Sequence, residues 1–541
     1  MADNWNQQEL WEAVQKYGGY RPAGRALGIP ESTIRSRLRG FEPELPAHAF
    51  VPDATELPAP HIEQAGVETV DYWASHEQTG GVRRYILTSA QNNCRVHEGF
   101  LANLKALAAE VDAELLVSCT IYDKQGYRGL VRKGDQGNRS REVWWDQAIK
   151  PYMVNARCRL HRRLAFCGEL DILATAKRPL SGLDSYCGRS SVIVPHNRFA
   201  FRCVESRQHQ MPKELATTGS VTLRKFIQRK AGQIAHFHHV LGALLVEVDE
   251  DGYWFTHHLN AEEDGSFYWL DRRVEDGRVK RNPEGLAGLV LGDVHSEKLS
   301  LDQRYLVGTI LDTLSPDHLF VHDLIDFESR NHHTRDDPLF RVRTHSREQS
   351  VVGDLRNAAD ILKSLTATVS STQVVVIASN HHEAFGRWIR EADWRADPEN
   401  AEIYLQTALE MVRAAQSGCS LDPFQWYLQT HLSVPESVKF LRVDDSYEVC
   451  GIECGIHGHV GLSGSRGSPR SYSKLGFKTI TGHTHTPSIM DGCYTVGVMG
   501  SLQMGYNRGP SKWMHAHCGI YPNGKRTFLW SKGGRWRAPL E

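Results

Sequence analysis

Between residues 287 and 486 five apolar runs follow one another, and each ends in side chains able to hold a metal ion. The run 288–291 leads into Asp293 and His295, and 319–321 leads into His322, Asp323 and Asp326. The run 373–378 precedes Asn380, His381 and His382; 447–456 precedes His457; 477–481 precedes His483 and His485. Short Val/Ile/Leu-rich runs of this kind read as buried strands. For any single one, a turn aspartate or a satisfied strand-end histidine is the ordinary reading. The ordered set is more demanding, because open α/β sheets gather at one edge the residues that follow their strands. A chain of this kind is therefore expected to be α/β, with five strand ends converging on one point.

The remaining sequence bounds what surrounds that point. A length of 541 residues exceeds what one core usually organises, so several domains are expected. With 63 basic against 64 acidic side chains the chain is no polycation, and any nucleic-acid affinity must come from local patches. No apolar run is long enough for a membrane span, and the N-terminus lacks the basic-then-apolar order of a signal peptide. A cytoplasmic protein without a membrane partner is expected. The 11 cysteines, an odd number without a regular framework, fit reduced thiols. Nothing in the sequence sets an oligomeric state.

Residues 1–41 read as three short helices: 7–17, a second from Pro22 through Leu27, and a third opened by Glu31-Ser32-Thr33 after the turn Gly28-Ile29-Pro30. The spacing resembles a helix-turn-helix DNA-binding module. Ser32, Thr33, Arg35, Arg37 and Arg39 would lie on its recognition helix, where small polar and guanidinium side chains suit base and phosphate contacts. A plain three-helix docking bundle is the other reading. Residues 42–81, rich in proline and acid, read as a linker. Residues 82–285 read as a separate α/β domain that opens strand–helix–strand at 84–89, 98–111 and 114–122 and continues as a β-meander over 238–280. It carries basic residues among aromatics (Arg128 to Arg163, with Trp144 and Trp145) and a second basic group at 224–230. These fit a nucleic-acid groove or a solvated basic face equally well, and no catalytic motif stands out in this stretch.

The set of five motifs resembles the calcineurin-like metallophosphoesterase superfamily over roughly residues 286–535, within an expected domain of 286–541. The resemblance implies a double β-sandwich flanked by helices, with two divalent metal ions at the sheet edge. Asp293, His295 and His485 would hold one ion, Asn380, His457 and His483 the other, and Asp323 would bridge them. Oxygen and nitrogen donors without thiolate favour Mn²⁺, with Fe or Zn²⁺ as alternatives. A hydroxide between the ions would attack phosphorus, and His381 would act as general acid. Asp326 and His382 would support these groups from behind. The sequence departs from the family pattern at His322 and Ser379, where glycine is usual. It departs again at His382, where an acid is usual, and that change is expected to weaken the hydrogen bond orienting His381. The stretch 461–470, with Arg466 and Arg470, is expected to be a flexible basic loop that clasps phosphates, and the insertion between Asn380 and His457 to cap the cleft. The N-terminal module and the basic patches favour a DNA nuclease or phosphodiesterase. The alternatives are a phosphatase or small-nucleotide phosphodiesterase with a DNA-binding arm, and a DNA-binding regulator whose phosphoesterase domain senses a ligand. The fusion is similar in architecture to phage-encoded proteins of the DNA-transfer and nuclease type, which would act in the host cytoplasm.

Overall fold

A computed structural model of the chain describes residues 5–17, 20–39, 41, 49–50, 81–122, 143–186, 188–208, 210–331, 338–339, 342 and 350–538. The expected linker and the basic stretch from Arg128 to Arg141 fall almost wholly outside these residues. Among the described residues the protein is mixed α/β, and no helix is long and apolar enough to cross a membrane.

The N-terminal helices Gln7–Lys16, Tyr20–Leu27 and Glu31–Arg37 enclose a small core of Leu10, Ala13, Val14, Ala23, Ile29 and Ile34. Gly24 allows the close approach, since a Cβ there would press on the Ile29 carbonyl. On the third helix Ser32, Arg35 and Arg39 are exposed, while Thr33 and Arg37 are half-buried. Arg35 pairs with Glu31 at 2.8 Å and lies over the Tyr20 ring at 4.5 Å.

The main body is built from three larger sheets. Strand Arg83–Gln91, helix Glu98–Glu110 and strand Ala113–Thr120 form a parallel βαβ unit. Antiparallel Gly242–Val248 and Trp254–Asn260 extend it to four strands, and a separate three-stranded meander covers Phe267 to Arg281. The six-stranded sheet has Gly288–Val290, His318–Val321, Gln373–Val376 and Lys439–Phe440 in parallel, closed by antiparallel Ala516–Ile520 and Arg526–Trp530. Its edge meets the four-stranded sheet where the Trp530 indole N–H donates to Thr256 O at 2.7 Å.

Side chains along these strands alternate between two buried faces. Leu289, Leu319, Val321, Val374 and Val376 face a layer of helices, whereas Val290, Phe320 and Val375 face the opposite core. Strands covered on both faces need unbroken apolar runs, which accounts for the sequence pattern. The opposite core is shared with a ten-stranded sheet through Ile452, Ile480, Ile489 and Val496.

That ten-stranded sheet runs across the expected domain boundary at 285/286. Strands Arg157–His161, Leu164–Cys167, Ser191–Val194, Phe201–Val204 and Lys213–Thr217 continue into strands from residues 448–495, with Phe201 paired to Ile489. The edge of the late hairpin offers unpaired backbone groups, and the earlier segment satisfies them. The two segments thus form one sheet over one core.

One local reading is also corrected. The single strand expected over 447–456 is a tight hairpin, Glu448–Val449 against Ile452–Glu453. Its turn residues Cys450 and Gly451 both have positive φ, 50° and 73°, as a type I′ hairpin turn requires. The insertion helices Ala401–Gln416 and Pro423–His431 pack into the helical layer through Ile403, Phe424, Tyr427 and Leu428, in a core shared with Trp388 of the helix Asn380–Glu391.

Candidate metal centre

The five motifs meet. The six-stranded sheet supplies Asp293, His295, Asp323 and Asn380 from the carboxyl ends of its parallel strands. The ten-stranded sheet supplies His457, His483 and His485 across the gap. Donor atoms of Asp293, His295, Asp323 and His485 all lie within 4.8 Å of one another, and so do those of Asp323, His457 and His483. Asp323 belongs to both groups. His295 Nε2 faces His485 Nε2 at 3.0 Å, His485 Nε2 is 3.2 Å from Asp293 Oδ2, and His457 Nε2 is 3.2 Å from Asp323 Oδ2.

The backbone is strained where these side chains are presented. His295, Asp323, His483 and His485 all have left-handed φ, between 40° and 70°. Such a conformation costs a non-glycine residue of order 1–3 kcal/mol and persists only where the surroundings enforce it. Gly482 shows the crowding: a Cβ there would run into Asp293 Oδ1 and the His322 ring.

The set fits divalent cations. Both carboxylate oxygens of Asp293 and of Asp323, Asn380 Oδ1 and His457 Nε2 are buried without a hydrogen-bond partner. Buried polar atoms are ordinarily satisfied, so a convergent group of unsatisfied lone pairs is a chemical signature of a cation site.

The electrostatics follow from burial and proximity. Burial raises the Asp293 carboxyl to about 7. Burial acts on Asp323 in the same direction, but the His457, His381 and His295 imidazoles outweigh it and hold that carboxyl well below the usual range. Burial holds His483 neutral, down to about 3, and His485 down to about 4, so each offers a lone pair. His381 differs. Burial opposes its charge, yet Asp323 and Asp326 raise its pKa above the ordinary value. Its Nδ1 donates to the Asp326 carbonyl at 2.9 Å and lies 3.5 Å from the Asp326 carboxylate. Asp326 also approaches His295 Nδ1 at 3.3 Å.

The expected weakening at His382 is therefore offset: Asp326 orients His381. His382 has another task. Its Nε2 accepts the Leu324 N–H at 2.9 Å, its ring stacks on Phe424 at 4.5 Å, and burial keeps it neutral at about 3. The stretch expected to be a flexible loop is folded. Gly461 N–H bonds Ser465 O, Ser468 caps the helical turn Pro469–Tyr472, and Tyr472 Oη donates to Val460 O at 2.7 Å. Arg466 and Arg470 are exposed on it.

Three neighbours went unassigned in the sequence. Buried His322 places Nδ1 3.2 Å from His457 Nδ1, a contact hinted at only by its departure from the glycine pattern. Glu297 accepts the N–H groups of Asp326 and Phe327 at 2.8 and 3.0 Å, and burial raises its carboxyl to about 8; its place two residues after His295 was the available signal. Trp513 sets its ring edge-on to His485 at 4.2 Å, and no motif marks it.

No protein-family profile matches the chain, and no solved structure matches it. A curated relative does: protein A1 of Escherichia phage T5 is 36% identical over 495 residues, covering 88% of this chain and 86% of that protein. The name of that relative describes no chemistry. Identity and coverage at this level over nearly the whole of both chains place the present protein in the family of phage T5 protein A1.

Proposed function

We propose that the protein is a two-metal phosphoesterase acting on nucleic-acid phosphodiesters, with DNA as its substrate. The observation that carries this reading is the pair of donor groups sharing Asp323, in which the Asp293 and Asp323 oxygens and His457 Nε2 are buried without a hydrogen-bond partner. Asp293, His295 and His485 would hold one divalent ion, Asn380, His457 and His483 the other, with Asp323 between them and Mn²⁺ the favoured metal. When bound, such a pair supplies a Lewis-acid clamp on phosphoryl oxygens and a water of lowered pKa.

The chain's own residues supply the rest. The raised pKa of His381 favours the imidazolium, and its Nδ1–H is committed to the Asp326 carbonyl. Nε2–H is then the proton available to a departing ester oxygen, as a general acid requires. The Asp326 carboxylate lies within 3.5 Å of His381 Nδ1 and 3.3 Å of His295 Nδ1, so one side chain helps to orient both. Exposed Ser32, Arg35 and Arg39 on the third helix, and exposed Arg466 and Arg470 after the fourth motif, support a phosphate-backbone substrate.

The test is a substrate panel with Mn²⁺: duplex DNA, single-stranded DNA, a bis-aryl phosphodiester and an aryl phosphomonoester. Cleavage of DNA and the diester, abolished by Asp323→Asn, is expected. Turnover of the monoester alone would reject the nuclease reading, and turnover of nothing would reject the phosphoesterase.

A further inference from the structure

Beside the centre lies an aromatic corner that the phosphoesterase reading leaves unused. Trp513, half-exposed, stands edge-on to His485 at 4.2 Å, and Tyr506 stands 5.9 Å from Trp513 at 67°. Tyr506 is 56% exposed, and neither ring belongs to a hydrophobic core. This sets them apart from Trp145, Trp388 and Trp530, which are buried.

The loop that presents them is held in shape. Asn507 accepts the Met504 N–H at 3.0 Å and donates to Leu502 O at 2.8 Å. Gly505 and Gly509 take left-handed φ of 87° and 85°. Ser511 exchanges two backbone hydrogen bonds with Ser206, and Gln208 donates to Asn507 O at 2.6 Å. Tyr506 Oη donates to the Met504 sulfur at 2.9 Å, which fixes the ring while leaving a face open. A rigid loop that holds a large apolar ring against solvent gains nothing in stability from that exposure.

We infer that Tyr506 and Trp513 form a stacking subsite for a nucleobase unpaired from its strand, adjoining the phosphate that the centre engages. This rests on the phosphoesterase reading for the position of the phosphate. The chemistry is that of single-stranded nucleic-acid recognition, in which base faces stack on aromatic rings regardless of sequence. An unpaired nucleotide, rather than intact duplex, is then the form that reaches the centre.

The experiment has two arms, both on the full-length metal-free protein. In the first, short single strands carrying 5-bromouracil are photocrosslinked and the adduct is mapped by mass spectrometry. In the second, anisotropy compares a labelled oligonucleotide with its abasic counterpart, in deoxyribo and ribo forms. Adducts at Tyr506 or Trp513 are expected, together with a preference for the base-bearing strand. Tyr506→Ala should lower that preference roughly tenfold, the scale of one lost stacking face, and Tyr506→Phe should keep it. Equal binding of the base-bearing and abasic strands, or adducts only elsewhere, overturns the subsite. Adducts at these rings with no turnover of any phosphodiester in the Mn²⁺ panel described above would keep the subsite and reject the phosphoesterase; turnover in that panel without adducts does the reverse. A preference shared by deoxyribo and ribo strands assigns recognition to the base, and one confined to either assigns it to the sugar and overturns the stacking account.

Discussion

The clasp formed by Arg330, Asp397 and Asn400 and the Asp/His centre are both buried and both charged, yet they treat those charges in opposite ways. In the clasp, Arg330 donates to both Asp397 oxygens at 2.5 and 2.7 Å and to Ser329 O at 2.6 Å. Asn400 donates to the same two oxygens and accepts the Val351 N–H at 3.0 Å. In the centre, Asp293 and Asp323 together present four buried oxygens without a hydrogen bond. The clasp is finished by the chain itself and the centre is not. The difference separates a charge cluster that stabilises the fold from one that could hold a bound cation.

This contrast gives removal of a charge opposite effects at the two places. Arg330→Ala leaves the buried Asp397 carboxylate without its counter-charge and should cost about 3–5 kcal/mol, as loss of one partner from a buried pair does. The check is chemical denaturation of the metal-free protein. A loss below about 1 kcal/mol would mean that water replaces the guanidinium and that the clasp is open too.

Asp293→Asn should behave the other way. The raised pKa of Asp293 says that ionising it in the fold is unfavourable, so the metal-free variant should melt no lower than the parent at pH 8. What it should lose is the gain from added metal, about 2.7 kcal/mol for the parent at one hundred times Kd. Melting curves with and without Mn²⁺ test both halves. A variant that is weaker without metal and still stabilised by it would make Asp293 a structural residue.

Much of this centre was legible, and the reason is physical. Strands buried on both faces must be apolar throughout, so 288–291, 319–321 and 373–378 announced themselves, and the residues after them had only one edge to occupy. What was hidden depends on pairing over long separations. Apolarity at Phe201 and Ile489 records burial but not that the two strands are neighbours, so the shared ten-stranded sheet could not be read. The hairpin at Cys450 was hidden because a left-handed cysteine carries no turn signal. The Asp326 carbonyl that orients His381 was hidden because a backbone acceptor has no sequence identity.

His322 offers a finer test of how the open cluster is kept in order. For His457 Nε2 to present a lone pair, its proton must sit on Nδ1 and needs an acceptor there. His322 Nδ1, 3.2 Å away on a ring that burial keeps neutral, is that acceptor. His322→Gly should weaken Mn²⁺ binding about 10–100-fold by calorimetry, and His322→Asn, whose amide oxygen can accept, should recover part of it. An unchanged affinity in the glycine variant would leave His322 as packing alone.

The smallest effect concerns Asp354, buried behind the centre, where it accepts the Ser329 N–H at 3.1 Å. Burial raises its carboxyl from 3.8 to about 7. The folded state therefore holds a proton that the unfolded chain has released between those values, and stability from this group falls as pH rises through that window. The drop in melting temperature of the metal-free protein between pH 5 and pH 8 should be smaller in Asp354→Asn than in the parent, since the amide cannot ionise. The clasp offers the control: Asp397 is already paired with a guanidinium, so Asp397→Asn should lower stability at both pH values without flattening the difference. If Asp354→Asn leaves the pH dependence untouched, the open character of the centre ends at Asp326 and does not extend to the helix behind it.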